Sequence, residues 1–266
     1  MRYFVTICFF NVLFCEFQNS GSGAVYKYGT NAREVAMGKT MNSVYNYGFN
    51  AFSNPSLLTN IEDIEFGISL FGMSLDRSIQ TISISRPLPP TTAFAVSFFR
   101  SGTDNIQGTD QVGNMTDIIN SWEGYSMLSF ANKIGDISIG FNLKIFTNQI
   151  TSQYSADGIG LDIGTSFKIF DRSYIGLNIN NISSNYNWNI DYDNSTKQYE
   201  EKIDEVISIG YSRLGEQVII ASQIDIRDSA YKAKIGMEFN IYSNYKFRIG
   251  LDDMLYSVGF GIPFKL

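Results

Sequence analysis

The sequence predicts an all-β protein, an antiparallel transmembrane outer-membrane β-barrel of about 12 to 14 strands with a short N-terminal hatch or plug segment. Three observations predict this fold class. From Glu62 onward, apolar residues alternate with small or polar residues, which is typical of strands with two unlike faces. Glycine is concentrated on the polar face, where a soluble sheet gains nothing from it but a crowded, curving barrel wall does. The final segment carries an apolar stripe to the C-terminus, at Tyr256, Val258, Phe260, Ile262, Phe264 and Leu266.

The N-terminus, 1–23, has the three-part layout of a secretory signal peptide. Arg2 precedes an apolar run, Tyr3–Cys15, that is too short to span a bilayer as a helix. Small and polar residues then continue to Ala24. Two alternatives stay open, a lipoprotein acylated at Cys15 and a buried N-terminal strand. We expect export, with cleavage after the apolar run.

The next block, 24–61, lacks a strand pattern, and we interpret it as a hatch segment that folds into the barrel. Residues 31–37 predict a short helix. The run Asn54-Pro55-Ser56 predicts a turn or the start of a helix, because proline fixes φ and suits the first helical position.

The remaining residues, 62–266, form the predicted barrel. The alternating pattern also fits a soluble sandwich, in which the apolar faces would meet each other and not lipid. Long connections are predicted around 101–121, 147–157 and 182–205, all at one end of the sheet, whereas the others are short. Outer-membrane barrels have this asymmetry, with short periplasmic turns and longer external loops. We expect 182–205 to be an external, mobile loop with Trp188 at its tip.

Charged residues on the polar faces predict a charged barrel interior. We interpret them as pairs that tie opposite walls together, because an unpaired ion in a tight lumen is costly. Rings of charge that select ions are the alternative. Arg33 is either an anchor from the hatch to a wall carboxylate such as Glu65 or Asp162, or a solvated residue in a short helix. The inferred lumen charges are Glu65, Lys144, Asp162, Lys168, Lys234, Glu238 and Arg248.

Composition excludes several classes of function. The chain has no histidine, so the usual general base and the commonest metal ligand are absent. Its only cysteines, Cys8 and Cys15, lie in the apolar N-terminal run. The net charge of −6 disfavours nucleic acid as a partner. We therefore expect no enzymatic activity, no metal and no cofactor.

Two N-terminal motifs resemble those of a known family. The stretch Asn31-Ala32-Arg33-Glu34-Val35-Ala36-Met37-Gly38 and the later Asn54-Pro55-Ser56-Leu57-Leu58 are similar to the "GARALGMGGA … NPAGLA" opening of the bacterial PorV/PorQ proteins, which are outer-membrane barrels related to the FadL fatty-acid transporters. Strand motifs such as Ser138-Ile139-Gly140-Phe141-Asn142-Leu143-Lys144 follow in register. The chain departs from the family at Lys39, where a glycine is usual, and at Ser56-Leu57, where Ala-Gly is usual.

The resemblance implies one of two roles in the outer membrane. One is a component of protein secretion or cell-surface attachment of the type IX kind, with secretion-system proteins or secreted cargo as partners besides lipid. The other is FadL-like transport of hydrophobic small molecules. A conduit for such molecules needs apolar groups around its ligand. Because the inward residues are mostly small, polar or charged, the sequence favours the protein-handling role, with transport as the alternative.

Overall fold

The computed structural model describes residues 22–110, 112–151, 153–192, 195–228, 230–241 and 245–262. The predicted signal peptide, 1–23, lies outside these residues except for its last two positions. None of the helices in the described ranges has the length and apolar character that a bilayer crossing requires.

The structure is one antiparallel sheet of thirteen strands. Its strands are β1 (Glu65–Met73), β2 (Arg77–Leu88), β3 (Thr92–Thr109), β4 (Met115–Ile134), β5 (Ile137–Thr151), β6 (Tyr154–Phe170), β7 (Ser173–Tyr192), β8 (Ser195–Lys202), β9 (Val206–Leu214), β10 (Val218–Arg227), β11 (Ala230–Ile241), β12 (Tyr245–Asp252) and β13 (Leu255–Gly261). Each strand pairs with the next strand in sequence, with one exception. Strand β7 pairs with β9 as well as with β8, and β8 lies outside the main order.

Strand β7 is long enough to pair with two different strands. Its first half, from Ser173 to Asn180, pairs with β9 and belongs to the barrel wall. Its second half, from Asn185 to Tyr192, pairs with β8. The β7–β8 hairpin therefore extends beyond the wall, which consists of β1–β7 and β9–β13.

The two faces of the wall have opposite character. Outward side chains are apolar and exposed, as for Phe98 at 51%, Phe141 at 45% and Ile235 at 48%. Inward side chains on the same strands, such as Ser97 and Asn142, are buried. A soluble sandwich would bury the apolar face instead. The prediction that apolar side chains point outward to lipid is confirmed.

The wall extends further at one end than at the other, but the prediction of long loops at that end was wrong. In the described residues, the segments around 101–121, 147–157 and 182–205 are mostly paired strand and belong to the β3–β4, β5–β6 and β7–β8 hairpins. Where both faces of a hairpin meet water, polar residues occupy both, so period-2 hydrophobicity disappears although backbone pairing continues. We call this the extended end. By the known asymmetry of outer-membrane barrels we expect this end to be external.

The hatch, residues 24–61, contains four short helical segments. They are a 3-10 helix at Ala24–Lys27, α1 (Ala32–Ala36), α2 (Asn50–Ser53) and a second 3-10 helix at Pro55–Asn60. The second 3-10 helix packs against β4, β5 and β6, and α1 packs against β12 and β13. The hatch thus reaches strands on well-separated parts of the wall, which requires it to lie inside the barrel.

Candidate functional site inside the barrel

Local hydrogen bonds cap both ends of helix α1. Asn31 is the N-cap, and its side chain accepts a hydrogen bond from the Glu34 backbone N–H at 2.9 Å. At the other end Gly38 adopts φ +60°, and the Lys39 N–H donates to the Glu34 carbonyl at 2.8 Å in a Schellman arrangement. Lys39 itself has φ +58°, a conformation that glycine adopts at less cost than lysine.

Glycines of the wall permit the hatch backbone to lie directly on the sheet. A Cβ on Gly38 would come within 2.7 Å of the backbone N and O of Leu251, and one on Gly140 within 2.5 Å of the Pro55 carbonyl carbon. A Cβ on Gly250 would overlap the Gly38 nitrogen. Similar overlaps occur where Gly164, Gly176 and Gly236 face the hatch. Glycine on the inner face is therefore explained by the hatch it contacts, in addition to wall curvature.

Asn54 joins the hatch to itself and to the wall. Its Nδ2 donates to the Asn42 carbonyl at 3.0 Å and to the Thr165 carbonyl at 3.2 Å. Its Oδ1 accepts from the Ser56 N–H at 3.0 Å, so it caps the 3-10 helix that Pro55 begins. Because Asn54 is fully buried, this complete set of partners offsets the cost of desolvating an amide. The turn-or-helix-start prediction is resolved as a capped helix start.

Arg33 is an anchor from the hatch to the wall. Its Nε and Nη2 donate to the two carboxylate oxygens of Glu238 at 2.8 and 3.1 Å, and its Nη1 donates to the Tyr45 carbonyl. The partner is not Glu65 or Asp162, as the sequence suggested, because α1 lies beside β12 and β13. Glu238 also accepts from Arg248 at 2.6 Å, its direct cross-strand neighbour.

Most of the other predicted lumen charges are also paired inside the barrel. Lys144 lies 2.9 Å from Asp162, and Lys234 forms an ion pair with Asp225. Glu65 accepts hydrogen bonds from the Tyr45 hydroxyl and, at 2.8 Å, from the Gly48 N–H of the hatch. Burial raises the pKa of Tyr45 well above its usual range, and the hydrogen bond to Glu65 raises it further, so Tyr45 is a neutral donor.

Lys168 does not join these charges. Its side chain is 50% exposed and lies 3.4 Å from Asp171, in the turn that follows β6. It sits near the short-turn end, whereas the hatch contacts β6 nearer its middle, at Gly164 and Ser166. The alternation of apolar and polar residues predicts which face of the wall a side chain lies on. It does not predict how far along the strand the hatch extends.

Sequence reasoning missed an aromatic cluster on the inner wall, towards the extended end. Phe99, Tyr125 and Phe146 are direct cross-strand neighbours on β3, β4 and β5, and Tyr186 continues the row on β7. The rings of Phe99 and Tyr125 stack at 5.3 Å, and Phe146 meets Tyr186 edge-on at 5.7 Å. The apolar pairs Phe98-Phe99 and Ile145-Phe146 interrupt the alternation. They were the signal in the sequence from which inward aromatic residues could have been predicted.

The hatch inserts one ring into this aromatic cluster. Tyr26, on the first 3-10 helix, lies 5.0 Å from Tyr125, 5.5 Å from Phe99 and 5.6 Å from Phe146, measured between ring centroids. Its hydroxyl shares a short hydrogen bond with that of Tyr186. The wall aromatics therefore enclose a space that accommodates a single six-membered ring.

A cavity of about 170 Å³ lies beside this cluster, between the hatch and the wall. Tyr26, Phe52 and Tyr125 line its apolar part. Its polar part is formed mainly by lysine and carboxylate side chains, with amides of Asn181 and Gln223. The interior thus combines an aromatic surface with a charged one.

Two solved structures with a similar fold are described as a transporter and a channel. The toluene transporter TodX of Pseudomonas putida superposes with a TM-score of 0.60 at 14% identity, and the match covers 88% of each chain. The fold is that of an outer-membrane β-barrel. The ΔS2S3 mutant of TodX, described as a monoaromatic hydrocarbon channel, matches with a TM-score of 0.56 at 14% identity, over 90% of this chain and 85% of that one.

Sequence comparison adds no closer assignment, since neither a protein-family model nor a curated protein matches the chain. The similarity in fold, together with the apolar outer face, confirms the predicted fold class and the outer-membrane localisation.

Proposed function

We propose that this protein is a non-enzymatic channel that admits small molecules with a ring-sized apolar part across the outer membrane. The observation that carries the proposal is the row of inward aromatics, Phe99, Tyr125, Phe146 and Tyr186, below the extended end. Tyr26 of the hatch occupies the space between these rings, so a guest ring gains these contacts when it displaces Tyr26. Each aromatic pair contributes about 0.5–1.5 kcal/mol beyond the area it buries.

This proposal reverses the preference drawn from sequence, which counted the inner face as almost wholly polar. The polar residues that supported that view are largely the ones that hold the hatch, such as Asn142 and Ser166. Nearer the extended end, the inner face carries the aromatic row. The description of TodX as a toluene transporter supports a ring-shaped substrate for this fold, although the identity is only 14%.

The test is uptake of radiolabelled toluene by Gram-negative cells whose own hydrocarbon channels have been deleted. Expression of this protein is expected to raise the initial rate, and Tyr125→Ala or Phe146→Ala to lower it by about five-fold at low toluene concentration, since one ring contact is lost. Phe141→Ala, on the lipid-facing side of β5, is the matched control and should leave the rate unchanged. Equal uptake with and without the protein would refute the proposal.

A PorV/PorQ-type role in secretion is the second candidate, and the β7–β8 hairpin favours it. In the described residues β8 pairs with β7 alone, so its other edge presents unpaired backbone groups beyond the wall. Such an edge is suited to receive a strand of a partner protein. Cross-linking in the native outer membrane should then recover type IX components or cargo, and shortening this hairpin should abolish recovery.

A further inference from the structure

The carboxylate residues Glu34, Asp204, Asp225 and Asp252 line the polar part of the interior cavity. Five lysines also line it, from the hatch and from β5 and β11. Three of them lie on the wall and two on the hatch, so the hatch completes the group. They are Lys27, Lys39, Lys144, Lys232 and Lys234.

Four of these lysines have carboxylate partners. Lys144 pairs with Asp162 at 2.9 Å, and Lys234 pairs with Asp225. Lys39 and Lys232 share a single carboxylate, that of Asp252, at 2.8 and 3.1 Å. The wall carboxylates are therefore already engaged, and one of them serves two ammonium groups.

Lys27 is different, because its Nζ is buried and has no hydrogen-bond or ion-pair partner in the described part of the chain. It stands on the same 3-10 helix as Tyr26, next to the aromatic cluster. An ammonium is a donor only, and a buried one without a counter-charge is strongly destabilising. A ligand that brings a negative charge would remove that cost.

We infer that the cavity binds a compact organic anion, an aromatic carboxylate, with its carboxylate on Lys27 and its ring against Tyr125 and Phe52. This inference rests on the proposed function for the ring and adds the charge. The apolar and the cationic parts belong to one cavity of about 170 Å³, so the two groups of the ligand must be close together. That geometry disfavours a long acyl chain.

The test is equilibrium binding of radiolabelled benzoate to the purified protein in detergent. Wild type is expected to bind benzoate, Lys27→Met to bind it at least about ten-fold more weakly, and Lys27→Arg to retain binding, because the arginine keeps the charge. Lys168→Met is the matched control, since that lysine is exposed at the rim and should not affect binding. Lys27→Met removes an unpaired buried charge, so it should remain at least as resistant to urea as the wild type.

Toluene uptake by cells, measured on the same variants, separates this inference from the proposed function. Toluene uptake without benzoate binding, or benzoate binding that Lys27→Met leaves intact, overturns the anion site and leaves the channel proposal standing. If the wild type neither takes up toluene nor binds benzoate, the channel proposal and the anion site are both refuted. Tighter binding of palmitate than of benzoate would overturn the compact-anion class.

Discussion

Gly250→Ala is expected to displace the hatch and to lower the free energy of unfolding by about 3 kcal/mol. The new Cβ would overlap the backbone nitrogen of Gly38. That nitrogen is fixed, because it donates to the Val35 carbonyl at 3.1 Å in the C-terminal turn of α1. Gly38 has little room to retreat, since even a Cβ on Gly38 would come within 2.7 Å of the backbone N and O of Leu251. Urea unfolding in detergent measures the change, and protease sensitivity of the hatch reports its displacement.

Gly72→Ala is the matched control for this substitution. Gly72 is also a strand glycine, but a Cβ there would have nothing within 4 Å. Its free energy of unfolding should stay within about 0.5 kcal/mol of the wild type. If the two alanine variants were equally stable, the hatch would not be seated on the wall as the structure shows.

Glu238→Gln is expected to lower the free energy of unfolding by about 3 to 5 kcal/mol. Glutamine keeps the shape of the side chain but removes the charge that faces both Arg33 and Arg248, at 2.8 and 2.6 Å. The Glu238 side chain is fully buried, so Arg33, Arg248 and also Lys246, which lies 3.6 Å from it, would lose this counter-charge in a desolvated interior. The same urea titration measures this loss. We also expect the hatch to become accessible to protease, since Arg33 is its anchor.

Glu216→Gln, at the short-turn end, is the matched control for Glu238→Gln. Arg172 donates to Glu216 at 2.7 Å, a distance like those at Glu238, but both side chains are more than half exposed. Exposed pairs are screened by water and contribute little. This variant should be indistinguishable from the wild type. A Glu238→Gln protein as stable as Glu216→Gln would show that burial does not decide the strength of the anchor.

The sequence by itself determined which side of the wall meets lipid, because side chains alternate strictly along a strand and a hydrocarbon solvent accepts only one of the two sets. It also located two helix starts within the hatch, at Asn31 and Pro55, since capping and helix starts depend on neighbours along the chain.

Only the tertiary structure decided which groups meet across the barrel. The partner of Arg33 is Glu238 because α1 lies against β12 and β13, and no local pattern encodes that placement. The aromatic row depends on the register of β3, β4 and β5, which brings Phe99, Tyr125 and Phe146 side by side from distant parts of the chain. Height along the barrel axis, and therefore the separation of the aromatic row from the polar residues that hold the hatch, follows from strand register and not from alternation.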